Sequence, residues 1–156
     1  MTTTKLAPPE LRGLFDMSLQ AETIVPTMPA TTGSRMVVRV TGGHFEGERL
    51  RGRVLGGEDW IVKREDGAVL LNVRLSLELE DGDKVLMRYS GLRHGPADVM
   101  ATLDQGGVVD PNDYYFRVTA SFETPSSHYS WLNRTIGLGT GARFPDRVEY
   151  AMFEVL

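Results

Sequence analysis

The chain contains no cysteine. Disulfides, thiolate nucleophiles, zinc–thiolate sites and iron–sulfur clusters are excluded together by that absence. Histidine is scarce: His44, His94 and His128 are the whole complement. None belongs to the His-x-His pair that a cupin-like metal site sets on one strand. His44-Phe45-Glu46 offers at most two ligands, in a glycine-flanked segment that reads as a bend, so the expectation is no metal. No stretch approaches the roughly 18 apolar residues of a membrane span. The amino terminus, MTTTKLAPPELRG, lacks the apolar run of a signal peptide, so a cytoplasmic location is expected. Lys and Arg number 17 against 21 Asp and Glu, for a net charge of −4. No basic run is long enough to track phosphates, and the arginines from Arg49 to Arg53 alternate with Leu and Gly like the solvated face of a strand. Neither nucleic acid nor an anionic membrane is an expected partner.

Two familiar catalytic loops are also missing. Gly137-Leu-Gly-Thr-Gly141 faintly resembles a phosphate loop, but a further strand follows it instead of a helix, so glycines that let a strand bend are the better reading. No Gly-x-Ser-x-Gly elbow occurs, which speaks against an ordinary serine hydrolase.

What the chain does have is alternation. From Val69 to Leu79, Val69, Leu71, Val73, Leu75, Leu77 and Leu79 alternate with Leu70, Asn72, Arg74, Ser76 and Glu78, the period-two signature of a strand with two unlike faces. Asp81-Gly82 supplies a tight turn. The return strand, Lys84 to Leu92, sets Val85, Met87 and Tyr89 on one face. Leu11–Glu22, Arg35–Thr41, Leu50–Val54, Trp60–Arg64, Tyr114–Glu123, Leu132–Leu138 and Val148–Val155 repeat the logic. A mobile, Pro/Thr/Gly-rich loop is expected over Val25–Ser34, a short helix over Pro96–Leu103, and a flexible segment over residues 1–10. The sum is one all-β domain spanning residues 1–156, a closed antiparallel barrel of about eight to ten strands.

Several polar groups stand where chemistry is conceivable. Asp59 beside Trp60 follows Gly56-Gly57. A carboxylate next to an indole, partly desolvated, gains a pKa suited to a general base, although a solvated turn aspartate fits the same residues. Tyr115 and Arg117 share a strand face, where a phenol and a guanidinium can hold an oxyanion. A solvent-facing polar stripe fits them equally. Arg74, Asn72, Trp131 and Asn133 carry the same ambiguity, because period two cannot say which face is the lumen. His94 and His44 are counted with these candidate ligand contacts.

Gly42-Gly-His-Phe-Glu-Gly47, Leu50-Arg-Gly-Arg-Val-Leu-Gly-Gly-Glu-Asp-Trp60, Asp113-Tyr-Tyr-Phe-Arg117, Ser121-Phe-Glu-Thr124 and Tyr129-Ser-Trp-Leu-Asn133 resemble, in this order, the bacterial and fungal family called domain of unknown function 3237. The resemblance runs from about Leu11 to Val155. It implies a calycin-like or allene oxide cyclase-like barrel and says little about chemistry. It also implies that Asp59, Trp60, Arg117, Trp131 and Asn133, which stand in the family's motifs, line a pocket. Two departures are visible: Gly56 follows Leu55 where many members have Pro, and Asn72 stands where members often have Asp. The second puts any acid/base role for residue 72 in doubt.

The functional expectation is a cofactor-independent acid/base enzyme, an isomerase, cyclase or lyase, acting on a small, largely apolar metabolite in the lumen. Asp59 would move the proton, Arg117 and Tyr115 would steady an oxyanion, and Trp60, Trp131 and Phe116 would shape the cavity. The alternative is a non-catalytic carrier of a small hydrophobic ligand. No cofactor is expected, the partner is a small molecule, and a homodimer is compatible with everything above.

Overall fold

The computed structural model describes residues 4–156. Eight strands, β1 (Leu11–Ala30), β2 (Gly33–Glu46), β3 (Arg51–Lys63), β4 (Val69–Leu79), β5 (Lys84–His94), β6 (Tyr115–Glu123), β7 (Gly137–Arg143) and β8 (Val148–Val155), follow one another around a closed antiparallel barrel, each paired with its sequence neighbours and β1 with β8. Closure leaves no open sheet edge. One α-helix, α1 (Ala97–Asp104), follows β5. The expected helix is there, with Pro96 as its N-cap. No helix among the described residues is long and apolar enough to cross a membrane.

The alternation seen in the sequence is the wall of this barrel. On β4 the residues Val69, Leu71, Val73, Leu75, Leu77 and Leu79 are all buried, while Asn72, Arg74 and Ser76 are exposed. Three boundaries differ from the sequence expectation. Leu50–Val54 and Trp60–Arg64 are not two strands but parts of the single β3, because the intervening glycines bulge instead of turning. Val25–Ser34 is the twisted end of the β1–β2 hairpin, with its turn at Thr31–Thr32, and not a loop. Leu132 to Arg134 lies in a 3₁₀ turn (Ser130–Arg134), and the strand that follows starts only at Gly137. The expected flexible segment over residues 1–10 falls partly outside the described residues; residues 4–10 carry no regular secondary structure.

The two ends of the barrel differ. One is closed by aromatic packing: Phe15 stands 5.3 Å from Phe45 and 6.3 Å from Phe122, centroid to centroid, with Leu132 of the 3₁₀ turn fully buried in the same core. The other is covered by α1, whose Met100 and Leu103 are buried. Asp104 ties that helix to the rim, with Lys63 of β3 at 2.8 Å and Arg143 of β7 at 3.7 Å. The hydrophobics around this end, Met36, Val38, Val99, Val109 and Val148, are only partly buried.

Candidate active site

At the α1 end the lumen turns polar. Whether Asp59 faces inward is decided several residues earlier. On β3, Val54 is buried and points in, and strict alternation from Val54 would aim Glu58 and Trp60 at the lumen and Asp59 at water. The chain instead slips register against β4 between Val54 and Gly56, where Gly56 takes φ +149°. Such a φ is open to glycine and strained for other residues. The slip moves the inward row to Gly57, Asp59 and Ile61. β2 makes the matching change alongside: Val40 pairs with Gly57 and Gly43 with Val54, and Gly43 has φ +152°. The two glycine pairs of the sequence therefore lie next to each other and reverse the facing of both strands.

A second local feature holds the carboxylate. β3 and β4 pair at Asp59–Val73 and again at Val62–Leu70, the same register, but the ladder is open between those points. The Asn72 N–H donates across this opening to Asp59 Oδ1 at 3.1 Å. Asp59 is 8% exposed. Burial pushes its carboxyl up to about 6, against the pull of the Asn72 N–H and of Arg93. Desolvation wins because a single backbone donor and a guanidinium beyond ion-pair range replace only part of the lost water.

Around Asp59 stand Tyr89 of β5, Tyr150 of β8 and Arg93 of β5. The Tyr89 and Tyr150 rings meet edge to face at 5.2 Å, Phe116 packs on Tyr150 at 5.4 Å, and the Arg93 guanidinium carbon lies 5.4 Å from the centre of the Phe116 ring. Burial raises both phenols above their ordinary value, so both stay protonated; the Tyr89 O–H is engaged with the Tyr150 oxygen, which leaves the Tyr150 O–H as the one that can donate to a ligand. Burial, and then the nearby Arg143, lower the Arg93 guanidinium, which nonetheless remains charged at neutral pH. Arg93 Nε is buried without a hydrogen-bond partner and stands alone in this among the side chains of the described residues.

The other candidates drawn from the sequence lie elsewhere. Tyr115 and Arg117 do share a face, but it is the outer one. Tyr115 is 44% exposed and stacks on His94, and Arg117 is exposed and donates to the Phe116 carbonyl at 2.9 Å. Tyr114, just before β6, and Phe116 and Val118 within it are buried, and the residues between them lie outside. The pairing of Tyr115 and Arg117 with Asp59 in one lumen is thus corrected: they line a depression of the outer wall with Trp60 and Asn72 instead. Trp60 is 51% exposed, its indole N–H donating to Glu58. Trp60, Asn72, Arg74 and Asn133 do come together, but in an open depression of about 1060 Å³ on the outer wall. Asn133 is engaged structurally, accepting from the Thr124 N–H and donating to the Thr124 carbonyl. Trp131 lies under the Arg49 guanidinium at the closed end, and His44 is exposed on β2. Among the described residues no three His, Asp or Glu side chains gather as metal ligands would.

Sequence reasoning missed Arg93, Tyr89 and Tyr150 as site residues. The signal was present. The row Val85, Met87, Tyr89 continues by twos to Gly91 and Arg93, and Val148, Tyr150, Met152 behaves alike. With Arg117 on the outside, Arg117→Lys is expected to leave ligand binding and turnover unchanged and to shift stability by no more than about 0.5 kcal/mol. A several-fold loss of either in that variant would return the outer face to consideration.

The profile of a family described as proteins of unknown function, DUF3237, matches residues 9–155. The chain belongs to this family. Among its relatives, a UPF0311 protein of Rhodopseudomonas palustris is 31% identical over 148 residues, 94% of this chain and 97% of the relative. Another, from Clostridium acetobutylicum, is 32% identical over 124 residues, 79% of this chain and 78% of the relative. In solved structures, a conserved protein of unknown function from Rhodopseudomonas palustris superposes with a TM-score of 0.87 at 31% identity over the whole of both chains. A β-barrel-like protein of Acinetobacter baumannii gives 0.82 at 34%, covering 99% of this chain and all of the other. A protein of Penicillium herquei described as an enzyme shares the barrel at 21% identity and a TM-score of 0.72, over 99% of this chain and all of that one. The barrel recurs across these chains, and at that last identity the likeness is one of fold alone.

Proposed function

We propose that this DUF3237 protein is a cofactor-independent acid/base enzyme, an isomerase, cyclase or lyase, acting on a small, largely apolar molecule at the α1 end of the barrel. The observation that carries this reading is Asp59. It is a carboxylate built into the wall of the lumen among Tyr89, Tyr150 and Arg93, anchored by one backbone N–H in a gap of the β3–β4 ladder, with no cation among the described residues within ion-pair distance. A carboxylate kept only for stability would be paired or solvated. One left dry and unpaired has the basicity of a proton acceptor near neutral pH.

In the proposed reaction Asp59 takes a proton from a C–H or O–H of the substrate. The electron pair moves onto a substrate oxygen, which the protonated phenol of Tyr150, itself accepting from Tyr89, steadies. Asp59 then returns the proton to another atom. No electrons leave the substrate, so a shift of a double bond, a ring closure or the release of a leaving group needs no cofactor. The partly buried ring of Met36, Val38, Val99, Val109 and Val148 suits an apolar skeleton. That ring equally suits a carrier that releases its ligand unchanged.

A metabolite extract incubated with the protein in heavy water separates the two. The enzyme reading expects one compound to change its chromatographic position or its mass, with deuterium incorporated, and expects Asp59→Asn to stop it. A compound retained by the protein but returned unaltered and undeuterated would establish the carrier instead.

A further inference from the structure

Arg93 is 6% exposed and points into the lumen at the end of the inward row of β5. It makes no ion pair within 4.0 Å among the described residues, and its Nε has no hydrogen-bond partner. A buried guanidinium with an idle donor is costly to the fold unless something else completes it. We infer that Arg93 is the receptor for a single anionic oxygen on the ligand, and that the ligand is a small apolar molecule carrying one acidic group, an enol, a phenol or a carboxylic acid.

The surroundings agree on the charge. From β3 come Asp59 and Lys63, from α1 Asp104, from β7 Arg143, and from β5 and β8 the neutral phenols of Tyr89 and Tyr150. Lys63 and Arg143 both turn to Asp104, whereas no carboxylate among the described residues comes within ion-pair distance of Arg93. Its guanidinium carbon lies 5.4 Å from the centre of the Phe116 ring, and Gly91, the inward residue before it, presents no side chain. Burial packs the planar fork in a way that a loose surface arginine lacks.

This inference rests on the α1 end being the ligand site, as in the acid/base reading, but not on turnover. It is tested with the full chain and three probes of similar shape: 4-nitrophenolate, benzoate and the uncharged 4-nitroanisole. Dissociation constants are measured at a pH where 4-nitrophenol is ionised. The expected result is that at least one anion binds about 10- to 100-fold more tightly than the neutral ether. Preference for 4-nitrophenolate indicates an enol or phenol ligand, and preference for benzoate a carboxylic acid. Arg93→Met keeps the apolar stem and removes every donor, so it should erase the preference while the ether still binds. Arg93→Lys should keep part of it, and Arg117→Met, on the outer wall, all of it. Equal binding of anion and ether, no binding of either anion at millimolar concentration, or a preference that survives in folded Arg93→Met overturns the inference. If Arg93→Met does not fold, the wild-type comparison and Arg93→Lys decide. Should the anion preference hold while Asp59→Asn retains turnover, the acid/base reading fails and the anion site stands.

Discussion

Asp59→Asn is expected to lower turnover by about 10²- to 10⁴-fold while raising the stability of the protein above pH 6. Both effects come from the same dry carboxylate. The amide keeps the shape and can still accept from the Asn72 N–H, which in the native chain donates to Oδ1 at 3.1 Å. It cannot take up a proton, so the chemical step loses its base. In the native chain the folded carboxyl titrates at about 6 against 3.8 for an ordinary aspartate. Below 3.8 the group is protonated in both folded and unfolded chains, and stability is unaffected. Between 3.8 and 6 the unfolded chain has lost its proton and the folded chain has kept it, so stability falls as pH rises. Above 6 the loss is complete, at about 3 kcal/mol for a shift of that size. Asp59→Asn removes this slope. Denaturant midpoints taken across pH 3.5 to 8 should therefore decline through the window in the wild type relative to the variant and run parallel outside it. Turnover should follow the opposite course, rising with pH through about 6 as the base ionises, then levelling. Parallel midpoints at every pH would show that Asp59 is not desolvated in solution, and wild-type turnover in Asp59→Asn would remove it from the reaction.

The barrel was legible in the sequence because its evidence is spread over many residues. The row from Val69 to Leu79 marks a strand with one dry face, and several such rows joined by turns leave little choice but a closed sheet. The site was less legible because it depends on which face is inside, and that is set by single events. Period two places Tyr115 with Arg117 correctly, yet it cannot tell outside from inside; the apolar partners Tyr114, Phe116 and Val118 could. Asp59 was readable as a candidate, but its inward facing rests on a register slip at Leu55–Gly56 that alternation alone reverses. Arg93 was missed because the return strand reads as ending at Leu92, one residue short of it, whereas β5 runs on to His94. In this barrel the row continues inward and the charge goes with it.

That register slip has a consequence that can be measured. Gly57→Ala is expected to cost about 3 kcal/mol of stability, at the upper end for overpacking, and to disturb Asp59 at the same time. A methyl group at Gly57 would stand 1.9 Å from the Arg74 carbonyl oxygen and 2.9 Å from Leu75 Cδ2. The first obstacle is backbone of the neighbouring strand and cannot rotate aside, so β3 and β4 must separate where they pair, at Gly57–Leu75. Gly57 does not have a positive φ, so the cost is steric and not conformational. Gly67 provides the contrast: its φ is +86° but nothing lies within 4 Å of an added methyl. Gly67→Ala should therefore cost only about 1 kcal/mol, the strain of a left-handed alanine. Two residues beyond Gly57, the widened gap lets water reach Asp59 and relieves the desolvation that raises its pKa. Gly57→Ala should thus show both a lower denaturant midpoint and a flatter pH dependence between 3.8 and 6, whereas Gly67→Ala should keep the native pH dependence. A Gly57→Ala chain as stable as Gly67→Ala, with the native slope retained, would mean that the close approach of β3 to β4 does not hold Asp59 dry.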